Sequence, residues 1–319
     1  MLFLGFSSGL PLLLIFATLS LWLREAGVDR AEVTYFSWAA LAYSFKFVWA
    51  PLIDKLPVPL LASRLGQRRG WLLLAQVAVV GAIVLMAQSD PGTAAGLQWM
   101  VVAAVMLGFS SATQDIVIDA YRIEAVEKEL QAMMASTSVA GYRLGMLMAG
   151  AVALYLAAGF GTTKEVYVYE AWKWTYFCMA AAMSVGIVTT LVIAEPVSRQ
   201  TSRYLHGAVD YARFLGLFIL VVMSFVAAFR VLSPLVAGVK AWLVGEGGQH
   251  VALAGFAGES LRLAVGLAVA LGVAWLAVRG GVARRAMDRD TYIAPVSDFF
   301  ERYGRAAVLI LLLVGFYRV

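Results

Sequence analysis

The sequence predicts an all-α membrane protein built from several transmembrane helices, and three observations carry this. The 319 residues are 62% hydrophobic and only 14% charged, whereas a soluble domain is nearer half apolar and a quarter charged. The mean hydropathy is +0.81. The charges are bunched, which leaves long uncharged runs, and a run of about 18 apolar residues is long enough to cross a bilayer as a helix. Several such runs follow one another with short polar gaps, so a bundle of helices is expected, each satisfying its own backbone within the lipid.

Taken in order, spans are expected near 2–23, 34–53, 71–88, 98–121, 132–158 and 172–194. Two more follow near 210–232 and 261–278. No basic segment precedes residues 2–23 and no small-residue cleavage site follows them, so they read as a spanning helix rather than a signal peptide. A ninth run begins at Ala306 and stops at Val319, too short to cross. The chain is therefore expected to be part of a longer protein. The expected divisions are a six-helix unit at 1–196, two additional helices with their linkers at 197–305, and the start of a further helix at 306–319.

Loop charge sets the sidedness. The 54–70 loop holds Lys55, Arg64, Arg68 and Arg69, the 195–209 loop holds Arg199 and Arg203, and six arginines fall between 279 and 305. The intervening loops are poorer in basic residues, and 89–97 has none. Cytoplasmic loops carry the excess of Lys and Arg, so the N-terminus is expected inside and 89–97 outside. The net charge of +5 has the same explanation, and no nucleic-acid partner is inferred from it. The single Cys178 excludes an internal disulfide and reads as a small buried residue.

An internal repeat is visible. Leu4-Gly5-Phe6-Ser7-Ser8 in the first span recurs as Leu107-Gly108-Phe109-Ser110-Ser111 in the fourth. Three-helix inverted repeats make these two spans equivalent. The second and fifth spans, equivalent under the same repeat, each carry one cation, Lys46 and Arg143. Between the second and third spans, Asp54-Lys55 and Gly66-Gln67-Arg68-Arg69-Gly70 are similar to a degenerate form of the loop motif of the major facilitator superfamily, split by an insertion with Pro57 and Pro59. That resemblance implies a cytoplasmic latch of carboxylate against guanidinium between helix ends.

The fourth span carries the most chemistry. Asp115 and Asp119 are four residues apart and share one helix face, and Arg122, three further on, is placed to pair with Asp119. Gln114 sits beside that face. At 1.5 Å rise per residue, Asp115 is roughly 10 Å inside the membrane edge and Lys46 roughly 12 Å. Ionisable groups at such depth face a bundle interior or a wet cavity and mark functional sites. Lys46, Asp115 and Arg143 are therefore expected to converge on one cavity, with Tyr43 and Tyr142 supplying phenols beside them. Asp119 and Arg122, nearer the edge, are expected to act in gating with Asp54, Lys55, Arg68 and Arg69. Gly141, Gly145 and Gly150 read as close helix packing, and Pro11 as a kink.

The run Ser111-Ala112-Thr113-Gln114-Asp115-Ile116-Val117-Ile118-Asp119-Ala120-Tyr121-Arg122 resembles the signature of the AmpG muropeptide permeases. Gly5 to Pro11, Phe45 to Asp54, Gly141 to Met146 and Arg68 to Trp71 are similar to that family as well. The resemblance covers roughly 1–196 and returns at Asp298-Phe299-Phe300. It implies a major facilitator fold and an inner-membrane importer of anhydro-muropeptides, driven by the proton gradient and monomeric when full length. Lys46 and Arg143 suit the carboxylates of such an anionic glycopeptide, and Gln114, Tyr43 and Tyr142 suit its sugar and amide groups. Asp115 is the proton-carrier candidate, since burial shifts carboxyl groups toward neutral titration. A related acetyl-CoA or other organic-anion carrier, or a membrane scaffold, is the alternative.

No enzyme is expected. His206 and His250 are too few and too isolated for a metal site, no phosphate-binding Gly-Lys-Ser/Thr motif is present, and no cofactor is implied.

Overall fold

The computed structural model describes residues 1–29, 36, 43, 46, 49–163, 166–196, 208–244, 251–281, 298, 300–302, 304, 306 and 309. Among them the regular structure is helical, with no strand. In order the helices are α1 (Leu2–Glu25), α2 (Ala50–Lys55), α3 (Leu61–Leu65), α4 (Gln67–Ala87), α5 (Ala94–Glu124), α6 (Lys128–Gly159) and α7 (Tyr169–Val192). Two more follow, α8 (Ala208–Val244) and α9 (Val251–Arg279). Among the described residues, six stretches are long and apolar enough to cross a membrane: α1, α4, α5, α6, α7, and Gly216–Gly238 within α8. The all-α, multi-span expectation holds. The span expected at 34–53 lies mostly outside the described residues, and α2 is its last turn.

The chain falls into two units, Met1–Ser202 and Arg203–Val319. In the first, the closest pair of helices is α1 and α6. Gly5 and Gly9 face Gly141 and Gly145 across it. A β-carbon on Gly5 or Gly9 would run into the carbonyl oxygen of Ser138 or Tyr142, and one on Gly141 or Gly145 into that of Leu2 or Phe6. Glycines four apart on both helices thus let two backbones touch.

Both helices widen by one turn further along. α1 has a π-helical turn at Leu14–Thr18, just beyond Pro11, and α6 has one at Met148–Val152. Wide turns leave carbonyls open to side-chain donors, and both are used here. Thr18 Oγ1 donates to the Ala149 carbonyl at 2.6 Å, and the Tyr176 hydroxyl donates to that of Leu14 at 3.1 Å.

α4, α5 and α7 complete the core with helically spaced apolar residues: Val79, Ile83 and Met86, then Met100, Ala103 and Leu107, then Trp172, Tyr176, Met179 and Met183, all fully buried. Cys178 packs half-buried at the edge of this core.

In the second unit, α8 and α9 pack on each other. α8 extends beyond the expected 210–232, through Pro234. α9 starts ten residues before the expected 261, which brings Glu259 into the helix beside Arg262. Among the described residues, Ala264–Ala277 within it is an apolar stretch. Arg262 is accommodated by its neighbour: Nε donates to the Phe229 carbonyl at 2.7 Å, and the guanidinium lies 3.8 Å from the Phe229 ring centroid.

Candidate functional site: a polar seam and a charged latch

α5 brings its polar residues against α1 and the second-span residues. Asp115 Oδ1 accepts from the Ser8 hydroxyl at 2.5 Å, a charge-assisted length. One residue back on each helix, Gln114 Nε2 donates to Ser7 Oγ at 3.3 Å. The repeated Ser-Ser pair of α1 thus meets the Gln-Asp pair of α5 in register. One turn before Asp115, Ser111 accepts from the Tyr43 hydroxyl at 2.8 Å, and Tyr43 lies within electrostatic range of Asp115 and Tyr142. Trp49 Nε1 donates to Thr113 Oγ1 at 3.1 Å.

The predicted cations are placed differently from the expected convergence. Lys46 Nζ lies 4.0 Å from Asp119 Oδ2, and Arg122 holds the other oxygen of Asp119 at 3.2 Å. Lys46 therefore pairs one turn beyond Asp115, with the more exposed acid. Arg143 is exposed and makes no ion pair among the described residues. Gly141 and Gly145 occupy the face of α6 that meets α1, and Arg143 is between them in sequence on the far side of the helix. Tyr142 is half-buried. Gln114, expected to meet cargo, is wholly buried, because its position on α5 faces the packed side of α1. The structure brings together Tyr43, Ser111, Asp115 and Ser8, and separately Lys46, Asp119 and Arg122.

At the end that carries residues 54–70, Arg68 pairs with Asp54, in a network with more members than the loop motif indicated. Arg68 donates to Asp54 Oδ1 at 2.6 Å and, through Nε and Nη2, to both oxygens of Glu124 at 3.0 and 2.5 Å. Gly66, at φ +91°, starts α4 with a backbone that only glycine adopts freely. The carboxylate of Glu195 fits against it and accepts the Arg68 and Arg69 backbone N–H groups at 2.8 and 3.0 Å. A carboxylate at a helix N-terminus is favoured by the dipole and the open N–H groups. Arg69 makes the reciprocal contact, donating to the Thr190 and Leu191 carbonyls at the C-terminus of α7 at 2.9 and 2.7 Å. The Lys55 side chain lies outside the described residues. Sequence reasoning missed Ser8, Ser111, Glu124 and Glu195. For Ser8 and Ser111 the repeat was the signal; Glu124 and Glu195 stand alone at the ends of apolar runs.

At the opposite end the contacts are aromatic. Glu25 Oε2 accepts from Trp172 Nε1 at 2.8 Å and from Thr162 Oγ1 at 3.1 Å. Trp22 stacks on Trp172 with centroids 5.7 Å apart and planes 6° apart, and its Nε1 donates to the Tyr167 hydroxyl at 3.2 Å. Tyr167 in turn donates to Asp90 at 3.0 Å.

With this geometry in hand, the chain was compared with known proteins. It is 41% identical over 196 residues to the anhydromuropeptide permease of Escherichia coli K12, which covers 61% of this chain and 37% of that protein. The chain is related to the AmpG-type permeases. It is also 40% identical over 192 residues to the putative transporter AmpG 4 of Rickettsia felis, covering 60% of this chain and 44% of that protein. The putative transporter AmpG 3 of Rickettsia typhi is 33% identical over 226 residues, 70% of this chain and 51% of that protein. The chain thus spans less than half the length of the first two. Residues 1–91 match the family described as acetyl-coenzyme A transporter 1. These named relatives are permeases and transporters rather than enzymes, and together with the apolar helices they support a multi-pass bacterial membrane protein.

Proposed function

We propose that this chain supplies the N-terminal six-helix half, residues 1–196, of a proton-coupled importer that carries anhydro-muropeptides across the bacterial inner membrane by alternating access. The N-terminus is cytoplasmic, and the working carrier is a monomer of the full-length protein. The observation that carries the reading is Asp115, an acid at membrane depth held by Ser8, in a chain 41% identical over 196 residues to a protein named as an anhydromuropeptide permease. Charges at that depth are costly without a task. Asp115 is the proton carrier, Tyr43 and Tyr142 beside it meet sugar or amide groups, and the exposed Arg143 meets a cargo carboxylate. Lys46 shares its charge between Asp119 and cargo. The Asp54, Arg68, Arg69, Asp119 and Arg122 groups open and close the cytoplasmic side.

The test is uptake of labelled anhydro-muropeptide into vesicles holding the full-length protein, with and without a proton gradient. Asp115→Asn should abolish gradient-driven accumulation while leaving equilibrium binding near normal. Arg143→Met should weaken binding roughly tenfold or more, the loss of one charge-assisted contact. Gradient-driven uptake by Asp115→Asn at the normal rate removes Asp115 from coupling. A second reading, carriage of acetyl-CoA, is favoured by the family match over 1–91. It predicts that acetyl-CoA competes for uptake and binds more tightly than the muropeptide.

A further inference from the structure

Four buried polar residues lie behind Asp115 and take no part in the reading above. Ser7, Gln76, Gln114 and Thr190 are each at 0% exposure and come from α1, α4, α5 and α7. Thr190 Oγ1 donates to Gln76 Oε1 at 2.8 Å, and Gln114 Nε2 donates to Ser7 Oγ at 3.3 Å. Two atoms are left without a partner among the described residues, Gln76 Nε2 and Gln114 Oε1. One is a donor and the other an acceptor. Gln76 Nε2 and Ser7 Oγ both lie within 3.0 Å of the point where a side chain on Gly186 would begin. Gln76 Nε2 and Ser7 Oγ therefore press on the same point of the α7 backbone, and only a glycine there lets both approach it. Buried amide atoms are costly to leave unpaired, so among the described residues Gln76 depends on Thr190 for its side-chain hydrogen bond.

Both ends of this chain of contacts continue. On one side Ser7 is followed by Ser8, which holds Asp115. On the other, the Thr190 carbonyl receives Arg69 Nε at 2.9 Å, whose backbone N–H shares Glu195 with that of Arg68. Arg68 closes the latch on Asp54 and Glu124.

We propose that Gln76 is a positioning residue in a polar path that ties Asp115 to the charged latch, the path crossing from Ser7 to Gln76 where both pack over Gly186. The proposal rests on Asp115 being the proton carrier. When Asp115 gains its proton, the Ser8 hydroxyl no longer faces a carboxylate. The Ser-Ser pair then shifts against Gln114, and the displacement reaches the end of α7 through Gln76 and Thr190, where Arg69 and Glu195 are seated.

The experiment compares gradient-driven accumulation with counterflow, which exchanges labelled for unlabelled anhydro-muropeptide and needs no net proton movement. Both are measured in vesicles of the full-length protein. Thr190→Val keeps the shape of the side chain and removes only the hydroxyl that holds Gln76. It should lower accumulation roughly tenfold and leave counterflow within about twofold. Thr190→Ser should restore accumulation. Gln76→Leu should match Thr190→Val, and the double variant should be no worse than either, since both cut one path. Equal loss in both assays, or losses that multiply in the double variant, overturns the path. If Gln76→Leu does not fold, Thr190→Val and Thr190→Ser decide alone. Asp115→Asn separates the two ideas: if it still accumulates cargo, the proton reading fails and takes the path with it. If it is uncoupled while Thr190→Val accumulates normally, only the path fails.

Discussion

The two ends of the first unit are closed by opposite chemistries. At the end that carries residues 54–70, three carboxylates and two guanidinium groups hold α4, α5 and α7 together, and Asp54 is 48% exposed. At the other end, two carboxylates are held by indole, phenol and hydroxyl donors, around a Trp22–Trp172 stack that is fully buried. Ion pairs near water lose little when they open, because each charge is rehydrated. A buried aromatic stack with its N–H groups bonded loses packing area and hydrogen bonds together. The charged end is thus suited to opening and re-forming, and the aromatic end to staying shut as a fixed base.

This contrast is open to attack. The largest effect should come from breaking what both ends share, the α1–α6 glycine seam. Gly145→Val would drive a side chain into the Phe6 carbonyl. It should cost about 3 kcal/mol, or prevent folding altogether, by overpacking, as read by thermal melting in detergent.

Next comes the aromatic end. Trp172→Phe keeps an aromatic ring on Trp22 but loses part of the indole's packing and the donor to Glu25. It should cost about 1–2 kcal/mol in the same assay, while Trp174→Phe, at 54% exposure, should cost almost nothing.

The smallest effect on stability should come from the charged end. Asp54→Asn, at the 48% exposed rim of this network, should lower stability by about 1 kcal/mol or less, and raising salt from about 0.05 M to 0.5 M should weaken the wild type but not the variant. A harmless Trp172→Phe beside an unfolded Asp54→Asn would reverse the roles assigned to the two ends.

Most spans were legible because their signal is local. An apolar run long enough to cross lipid is visible residue by residue, and α1, α4, α5, α6 and α7 fall where such runs predict. α9 was less legible at its start, since the helix begins ten residues before the expected span. The convergence of Lys46, Asp115 and Arg143 was expected from their shared depth and from the repeat. Depth is a one-dimensional quantity, however, and groups at the same depth still differ in which way they face. Arg143 is at a suitable depth and on the far side of α6 from the glycine seam.

The sequence by itself determined that the chain crosses a membrane many times, that Asp115, Asp119 and Arg122 share a face of one helix, and that Gly141 and Gly145 mark close packing. Each follows from helical geometry within about two turns. Only the tertiary structure decided partners. Lys46 pairs with Asp119, Arg68 reaches Glu124 across 56 positions and Glu195 across 127, and Gln76 meets Thr190 across 114. Such pairings depend on how helices rotate and pack against one another, and that rotation is set by the whole bundle's burial rather than by any local run of residues.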